Sequence, residues 1–153
     1  MNKRGFTIIE LLIVLAIIGA LASIVVVSGG SARMQSRDAK RISDIIQLQV
    51  ALEGYYNGYV DFSGSTPVAK NYPSTSLNTA VLVTSDYISS LPKDPKDASD
   101  YKYVSAADSN GKITTYCLGA KIENANNPAL QRTSSSGPCG DSSMSTYNYR
   151  ILR

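Results

Sequence analysis

The chain has 153 residues, of which 15 are basic and 12 acidic, so its formal net charge is +3 at pH 7. It contains no histidine, which removes the usual general base and a common metal ligand. It also contains neither a G-x-x-x-x-G-K-[ST] phosphate loop nor a nucleophile elbow. These absences argue against an enzyme, and the length suits one modest domain with an anchor.

The run from Phe6 to Val27, FTIIELLIVLAIIGALASIVVV, is apolar and carries one formal charge, on Glu10. Its 22 residues would form a helix of about 33 Å, enough to cross a bilayer core of about 30 Å. A basic leader, from Met1 to Gly5, precedes this run. The run therefore predicts a membrane-spanning helix. Glu10 either reaches the headgroups from the helix end or is functional, because ionisable residues inside such runs are costly.

The order K-R-G-F-T-I-I-E-L-L-I-V-L-A-I-I-G-A-L-A resembles the class III signal of type IV prepilins and type II secretion pseudopilins. In that family a membrane aspartic peptidase, the prepilin peptidase, cuts after the glycine on the cytoplasmic side and methylates the new amine. The resemblance implies that Gly5 precedes the scissile bond, Phe6 becomes the methylated terminus and Glu10 acts in assembly. The cation that cleavage creates at Phe6 can offset the carboxylate of Glu10 in a low dielectric.

Removal of the leader would also remove Lys3 and Arg4, which leaves thirteen basic against twelve acidic residues, or about +1. The charge therefore gives no indication that nucleic acid is a partner. Two other interpretations of the N-terminus stay open. The sequence Ala20-Leu21-Ala22 matches the A-x-A site of an ordinary secretory signal, although the apolar run continues to Val27. The other interpretation is a single-span anchor that is never cut.

Basic residues lie on both sides of the predicted span. Two precede it, and four follow it closely: Arg33, Arg37, Lys40 and Arg41. A count of positive charges would place the C-terminal part in the cytoplasm. Large domains translocate largely regardless of charge, and the leader and the cysteines indicate export, so we expect that part to be extracytoplasmic.

A second apolar pattern follows the interruption Ser28-Gly29-Gly30-Ser31. Apolar residues recur mostly at spacings of three and four, at Met34, Ile42, Ile45, Leu48, Leu52 and Tyr55. This stripe predicts an amphipathic helix that packs on a globular part. Most charged residues lie off the stripe: Arg33, Arg37, Lys40, Arg41, Asp44 and Glu53. The membrane helix either ends at the glycines or continues as one long helix to about Tyr56. The immediate return of the periodicity favours the long helix, as in type IV pilins.

Pilins usually carry a proline at the position of Val27. Its absence leaves Gly19, Gly29 and Gly30 as the candidates for local unwinding of the helix in a filament.

The remaining residues predict a small antiparallel sheet. Asn57-Gly58 signals the end of the helix, and Asp108-Ser109-Asn110-Gly111 signals a tight turn between two strands. The predicted elements are a loop at 58–76, a short helix at 77–90 that turns Leu77, Val81, Leu82 and Tyr87 to the core, a strand that opens at 101–104, and strands at 112–122 and 145–152. The resulting fold class is α+β, with a long N-terminal helix packed on a small antiparallel sheet, as the resemblance to pilins also implies.

The two cysteines, Cys117 and Cys139, form an even pair in a domain that we expect to be exported, and this suggests a disulfide. A metal site is the alternative, but the chain has no C-x-x-C pair and no histidine. Many pilins close their C-terminal region with a disulfide, so the resemblance agrees with the bond.

Two groups of polar and charged residues each have more than one possible interpretation. One is an acidic set, either solvated turns or a calcium site of the kind that major pseudopilins carry: Asp94, Asp97, Asp100, Asp108 and Asn110. No other cofactor is indicated. The second pattern, Arg33, Arg37 and Arg41, shares one helix face. It could bind lipid phosphate, an acidic neighbour or DNA, and structural pairing with acidic residues is the default.

The sequence thus predicts a leader at 1–5, a membrane and assembly helix at 6–30 and a globular head at 31–153. The expected function is that of a structural subunit of a type IV pilus-like filament, exposed at the cell surface after assembly. The expected partners are further copies of the chain or related pilins, the prepilin peptidase, membrane lipid and the assembly platform of the inner membrane. The alternatives are a pseudopilin of a type II secretion system and a monomeric, single-span surface-binding protein.

Overall fold

The computed structural model describes residues 5–58, 71–74 and 79–153. Within them the chain forms two α-helices, three strands and three short 3₁₀ helices: α1 (Ile8–Gly58), α2 (Thr79–Thr84), β1 (Lys102–Ala107), β2 (Ile113–Ala120), the 3₁₀ helices Pro128–Arg132, Gly137–Gly140 and Ser142–Met144, and β3 (Tyr149–Leu152). The α+β class expected from the sequence is confirmed.

Backbone contacts divide the chain into an N-terminal unit, which ends at Ser36, and a globular unit, Arg37–Arg153. The predicted segments 1–5, 6–30 and 31–153 stay a prediction.

Helix α1 runs from Ile8 to Gly58 over 51 residues, so the predicted single helix is confirmed. The paired glycines, Gly29 and Gly30, do not end it, although each costs about 1 kcal/mol relative to alanine. No proline occurs between Ile8 and Gly58, so no N–H is missing from the ladder of backbone hydrogen bonds inside the helix. The continuity of α1 follows from this uninterrupted ladder.

The three described strands form an antiparallel sheet in the order β1-β2-β3. The predicted turn between β1 and β2 is confirmed. Asp108 Oδ1 accepts hydrogen bonds from the backbone N–H groups of Asn110 (2.8 Å) and Lys112 (2.9 Å). Gly111 has a φ of +78°, a left-handed conformation that glycine adopts without steric cost. The side chain of Asp108 therefore fixes the turn that sets the register of β1 on β2.

The third strand is shorter than the sequence predicts. It begins at Tyr149 instead of Ser145, because the preceding residues form the 3₁₀ helix Ser142–Met144 and a turn. Asn148 then pairs with the chain through its side chain: Oδ1 accepts from the Ile122 N–H, and Nδ2 donates to the Ile122 carbonyl, both at 2.7 Å. The side-chain amide thus takes the place of a backbone pair and marks the end of the ladder between β2 and β3.

The core of the globular unit forms between α1 and the sheet. Ile45, Leu48 and Leu52 are at most 1% exposed, and they share one buried cluster with Tyr116 and Leu118 of β2. The predicted apolar stripe is therefore confirmed for this part of α1. Burial of each such aliphatic side chain stabilises the fold by about 1.5–3 kcal/mol.

Tyrosine rings extend this core from α1 across the sheet. Tyr56 stacks on Tyr72 with centroids 4.5 Å apart, Tyr72 meets Tyr116 edge-on at 4.7 Å, and Tyr116 lies 5.8 Å from Tyr103. The Tyr103 hydroxyl donates to the Pro73 carbonyl at 2.8 Å. Burial raises the pKa of both Tyr103 and Tyr116, so these phenols stay protonated at neutral pH.

The predicted helix at 77–90 is reduced to α2, Thr79–Thr84. Asp86 follows in the left-handed region with φ +56°, and this reverses the chain so that the N–H of Tyr87 reaches the Leu82 carbonyl at 3.1 Å. Leu82 is fully buried and Tyr87 half-buried, whereas Leu77 lies outside the described residues. The predicted loop at 58–76 also lies largely outside them; Gly58 itself ends α1.

Candidate functional site

The first turn of α1 is closed by Thr7 and Glu10. The backbone N–H and the hydroxyl of Thr7 both donate to Glu10 Oε2, at 2.8 and 2.7 Å, and the Glu10 N–H donates back to Thr7 Oγ1 at 3.3 Å. This reciprocal arrangement is a capping box, for which Thr-x-x-Glu is the sequence signature. An assembly role for Glu10 is predicted from the sequence, whereas this cap was not predicted although its signature is present. Glu10 therefore has a local structural role beside any role in assembly.

Gly5 and Phe6 precede α1 and are accessible. Phe6 is 87% exposed, and among the described residues no atom lies within 4 Å of the place where a Cβ on Gly5 would be. Backbone outside regular structure and without neighbours is where proteases act most readily. The bond between Gly5 and Phe6 is thus open to a peptidase, and cleavage there stays a prediction.

The N-terminal unit exposes its apolar side chains. Their exposed fractions lie between 48% and 81% from Ile8 to Leu21: Ile8, Ile9, Leu11, Leu12, Ile13, Val14, Leu15, Ile17, Ile18 and Leu21. A continuous apolar surface of this kind marks contact with a membrane or with another protein. Among the described residues no helix is both long and apolar enough to cross a membrane.

The globular unit contains a buried ionic cluster centred on Arg41, whose side chain is 2% exposed. Its Nε and Nη2 donate to the two carboxylate oxygens of Asp94 at 2.6 and 2.8 Å. Its Nη1 donates to Asp38 Oδ1 (2.8 Å) and Glu123 Oε1 (2.7 Å). The hydrogen bonds with Asp94 raise the pKa of Arg41 despite its burial. The cluster joins α1 to two loops, since Asp94 precedes β1 and Glu123 follows β2.

Asp38 and Glu123 complete the connection between α1 and the loop after β2. The two oxygens of Asp38 accept from the backbone N–H groups of Glu123 and Asn124, both at 2.9 Å. Arg37 forms a bidentate pair with Glu123, with both distances 2.8 Å. Hydrogen bonds from Arg37 lower the pKa of Glu123, and those from Arg41 lower the pKa of Asp94. The roles of Asp38 and Glu123 were not predicted from the sequence, because isolated acidic residues carry no pattern that distinguishes a buried partner from a solvated one.

The structure tests two predictions for the charged residues of α1, namely pairing with acidic residues and a position off the buried stripe. Structural pairing with acidic residues is confirmed for Arg37 and Arg41. The expectation that Arg41 and Asp44 lie off the buried stripe is wrong, because both are 2% exposed. Burial is possible because each has partners: Asp44 accepts from the Tyr101 hydroxyl (2.8 Å) and from Lys40 Nζ (3.3 Å).

A second cluster lies near the C-terminal end of α1. Glu53 Oε1 accepts from Arg153 Nε (2.9 Å) and from the hydroxyls of Tyr72 (3.1 Å) and Tyr116 (3.2 Å). This carboxylate joins α1, the described segment 71–74, β2 and the residue after β3. It positions the end of the helix.

The predicted cysteine pair forms a disulfide. Cys117 in β2 and Cys139 in the 3₁₀ helix Gly137–Gly140 are linked, with Cα atoms 5.1 Å apart and both side chains fully buried. Met144 packs beside them, and Arg150 Nη1 donates to the Cys139 carbonyl at 2.9 Å. The bond fastens the segment between β2 and β3 to the face of the sheet that lies away from α1.

The acidic residues considered as calcium ligands form hydrogen bonds or ion pairs within the fold. Asp94 binds Arg41, Asp100 pairs with Lys93 at 3.3 Å, and Asp108 closes the turn before β2. Asp97 accepts from the Ser99 N–H at 3.0 Å. In the described part of the chain, no three His, Cys, Asp or Glu side chains come together as a metal-binding group. We propose no metal site from this set.

The chain matches a known protein family and several known proteins. Residues 1–26 match the family model "Prokaryotic N-terminal methylation motif". The chain is 34% identical over 131 residues to type II secretion system core protein G of Vibrio cholerae, which covers 78% of this chain and 82% of that protein. This chain belongs to the family of type IV pilins and type II secretion pseudopilins.

Two further relatives support the assignment. Type II secretion system core protein G of Klebsiella pneumoniae is 30% identical over 131 residues, covering 77% of this chain and 85% of the relative. The protein of that name from Aeromonas hydrophila is 31% identical over 125 residues, with coverage of 78% and 86%. No solved structure gives a significant match. The resemblance to pilins and pseudopilins is therefore confirmed, with type II secretion relatives among the matches.

Membership in the family indicates the general role of this chain. The family is structural, its members belong to pilus-like assemblies, and its type II secretion members are processed at the N-terminus and anchored in the membrane. The long helix, the small sheet and the N-terminal motif of this chain agree with that character.

Proposed function

We propose that this pseudopilin polymerises through the N-terminal part of α1 into a secretion filament and has no catalytic role. In this proposal, the prepilin peptidase cuts after Gly5 and methylates the amine of Phe6. The run Phe6–Val27 then holds the subunit in the membrane, with the globular unit on the extracytoplasmic side. An assembly platform of the inner membrane adds subunits, and the same apolar run packs between copies in the filament.

The observation that carries the proposal is the exposed apolar surface from Ile8 to Leu21 with one carboxylate at its beginning. Large aliphatic side chains exposed to this extent need lipid or another protein to cover them. The acidic group, Glu10, lies in the first turn, four residues after Phe6, where cleavage would create the amine. A charge of opposite sign that approaches the carboxylate in an apolar environment stabilises both groups.

Glu10 has two properties that mutations can separate: it caps the helix, and it carries a negative charge. Each property predicts a different cause for an effect of Glu10 on assembly. As the N3 residue of a capping box it closes the first turn, a role that glutamine also fills. As a carboxylate it can bind the amine of Phe6 of an incoming subunit. Both hydrogen bonds from Thr7 end on Oε2, and we assign Oε1 to the amine.

The test compares three variants in the native host by processing and by the yield of sheared filaments. Glu10→Gln keeps the cap and removes the charge, Thr7→Ala removes much of the cap and keeps the charge, and Glu10→Val removes both. We expect all three to be cut after Gly5, because the cleavage site is outside the helix. Filaments should be lost from both Glu10 variants and largely retained by Thr7→Ala. Normal filament yield from Glu10→Gln would exclude the charge from assembly and leave the cap as the role of Glu10.

A further inference from the structure

Thr7 lies at the boundary between the proposed cleavage site and α1. Gly5, Phe6 and Thr7 are outside regular structure, and α1 begins at Ile8. The N–H of Leu11 donates to the Thr7 carbonyl at 3.3 Å, which is the first hydrogen bond of the helical ladder. Thr7 therefore occupies the N-cap position, and a single residue, Phe6, separates it from the bond to be cut.

The hydroxyl group of Thr7 uses both of its hydrogen-bonding functions in the cap. Oγ1 donates to Glu10 Oε2 at 2.7 Å and accepts from the Glu10 N–H at 3.3 Å. The backbone N–H of Thr7 donates to the same carboxylate oxygen at 2.8 Å. In a helix that continued towards the N-terminus, this N–H would donate to the carbonyl of Lys3, four residues earlier. The cap thus occupies the N–H group that a further helical turn would need.

The sequence before Thr7 favours a further turn at all but one position. Lys3 and Arg4 are residue types with high helix propensity, and Gly5 is the residue that opposes a helix there. In a membrane the tendency to continue is stronger, because backbone N–H and C=O groups without partners are costly in lipid. The start of α1 at Ile8 therefore depends on the cap as well as on Gly5.

Hydrolysis requires that the backbone on both sides of the bond be accessible. Water adds to the carbonyl carbon of Gly5, the C–N bond breaks, and the products are the carboxylate of Gly5 and the amine of Phe6. A peptide that a protein binds in extended form pairs through its own backbone N–H and C=O groups, which a helical turn would occupy. Phe6 is 87% exposed, and among the described residues no atom lies within 4 Å of a Cβ placed on Gly5.

We propose that Thr7 is a positioning residue for processing: its cap stops α1 before the scissile bond and keeps the backbone from Gly5 to Thr7 out of the helix. The inference rests on the proposed cleavage after Gly5 and deepens it. Thr7 acts on the conformation of the substrate and takes no part in the chemical step. This role is separate from the role of the Glu10 charge in assembly.

A positioning role predicts which kinetic parameter changes. Without the cap, the cleavable conformation is a smaller fraction of the population, and the apparent affinity for the peptidase falls in proportion. Once bound, every variant presents the same backbone to the peptidase, so kcat is unchanged. The loss of an N-cap side chain shifts such a balance by about fivefold. We therefore expect KM to rise about three- to fivefold and kcat to stay constant.

The experiment measures initial rates of cleavage of the full-length chain in detergent micelles by the purified prepilin peptidase of the native host. Thr7→Ser and Thr7→Asn keep an N-cap side chain, whereas Thr7→Val keeps the shape of threonine and removes the cap. We expect the rise in KM from Thr7→Val, and values within about twofold of the unmodified chain from the other two variants. All variants should finally be cut, because the cap changes the rate and not the site.

A structural measurement on the same chains gives a second readout. The carbon chemical shifts of Gly5 and Phe6, recorded by NMR in the same micelles, distinguish helical from non-helical backbone. We expect these shifts to move towards helical values in Thr7→Val and to stay unchanged in Thr7→Ser. A residue that only stabilised the rest of the helix would leave the shifts of Gly5 and Phe6 unaffected.

The outcomes separate this inference from the proposed function. An unchanged KM in Thr7→Val would overturn the inference and leave cleavage after Gly5 intact. Slow cleavage of Thr7→Ser and Thr7→Asn would also overturn it, because the peptidase would then recognise the threonine itself. The same conclusion would follow from a raised KM in Thr7→Val without a change in chemical shifts. Failure of the peptidase to cut the unmodified chain after Gly5 would overturn the proposed function instead.

Discussion

The two units of this pseudopilin place apolar and charged residues in opposite ways. The N-terminal unit exposes its isoleucines and leucines, and its acidic residue Glu10 closes a helix end. The globular unit buries the aliphatic side chains of its core, such as Ile45 and Leu48, and also buries Asp38, Arg41 and Asp44 in a network of ion pairs. A surface of the first kind is stable only against lipid or another chain, whereas the second kind of interior is complete in itself. The comparison assigns assembly to one unit and folding stability to the other.

The largest effect should come from breaking the ionic cluster of the globular unit. Arg41→Met leaves Asp94 and Asp38 buried without their cation, and removal of one partner of a buried pair costs about 3–5 kcal/mol. We expect a loss of this size in the free energy of unfolding, measured by urea denaturation of a truncated chain that begins at Ser31. This chain should fold alone, because the described core lies in the globular unit.

Lys93→Met is the matched control for that measurement. Lys93 is 58% exposed and its partner Asp100 is 75% exposed, so this pair lies at the surface and its removal should cost less than about 1 kcal/mol. Equal losses from the two variants would mean that the cluster around Arg41 is not the main connection between α1 and its loops.

The disulfide should contribute the next effect. It closes a sequence separation of 22 residues, for which the loop-entropy model gives about 3 kcal/mol. The double variant Cys117→Ala with Cys139→Ala should lose about that much stability, while Met144→Leu in the same cluster should lose less than about 1.5 kcal/mol. Thiol labelling of the denatured, unreduced protein should find no free cysteine, and full labelling of both would reject the bond.

The smallest effect should be on the pH dependence of stability. Hydrogen bonds with arginine hold the pKa values of Asp94 and Glu123 below their ordinary values of 3.8 and 4.5. Their contribution is therefore present above those values and is lost as the pH falls through the lower pKa values of the folded state. Burial raises the pKa of Tyr103 above its ordinary value of 10.0, so its contribution is present below that pH and is lost as the pH rises further.

Two variants check the two limbs of this profile by denaturation at a series of pH values. Glu123→Gln should flatten the acid limb and leave the alkaline limb unchanged, and Tyr103→Phe should do the opposite. An acid limb that keeps its slope in Glu123→Gln would show that other carboxyl groups determine it.

Local and periodic signals carried most of the sequence-based prediction. The spacing of Ile45, Leu48 and Leu52 predicted the buried face of α1, and Asp108 to Gly111 predicted the hairpin turn. The burial of Arg41 could not be predicted in this way, because the free energy of a buried charge depends on partners that are distant in sequence.

Three further features show where local sequence signals end. The start of β3 was missed because Asn148 replaces a backbone pair with its side chain, which strand propensity does not reveal. The capping box of Thr7 and Glu10 had a local signal, Thr-x-x-Glu, that the apolar run around it concealed. The close approach of Tyr87 to α1 depends on the missing side chain of Gly54 and on the left-handed conformation of Asp86, and both are tertiary features.

The account assigns assembly to the N-terminal unit and folding stability to the globular unit. The most direct test of this assignment is the intact mass of subunits taken from sheared native filaments. The account predicts a chain that begins at Phe6, carries one added methyl group and has Cys117 and Cys139 oxidised. Such a subunit would place the processed N-terminal unit and the disulfide-closed globular unit in the same assembled molecule. Filament subunits that begin at Met1 or Ser23, or that contain free cysteines, would contradict it.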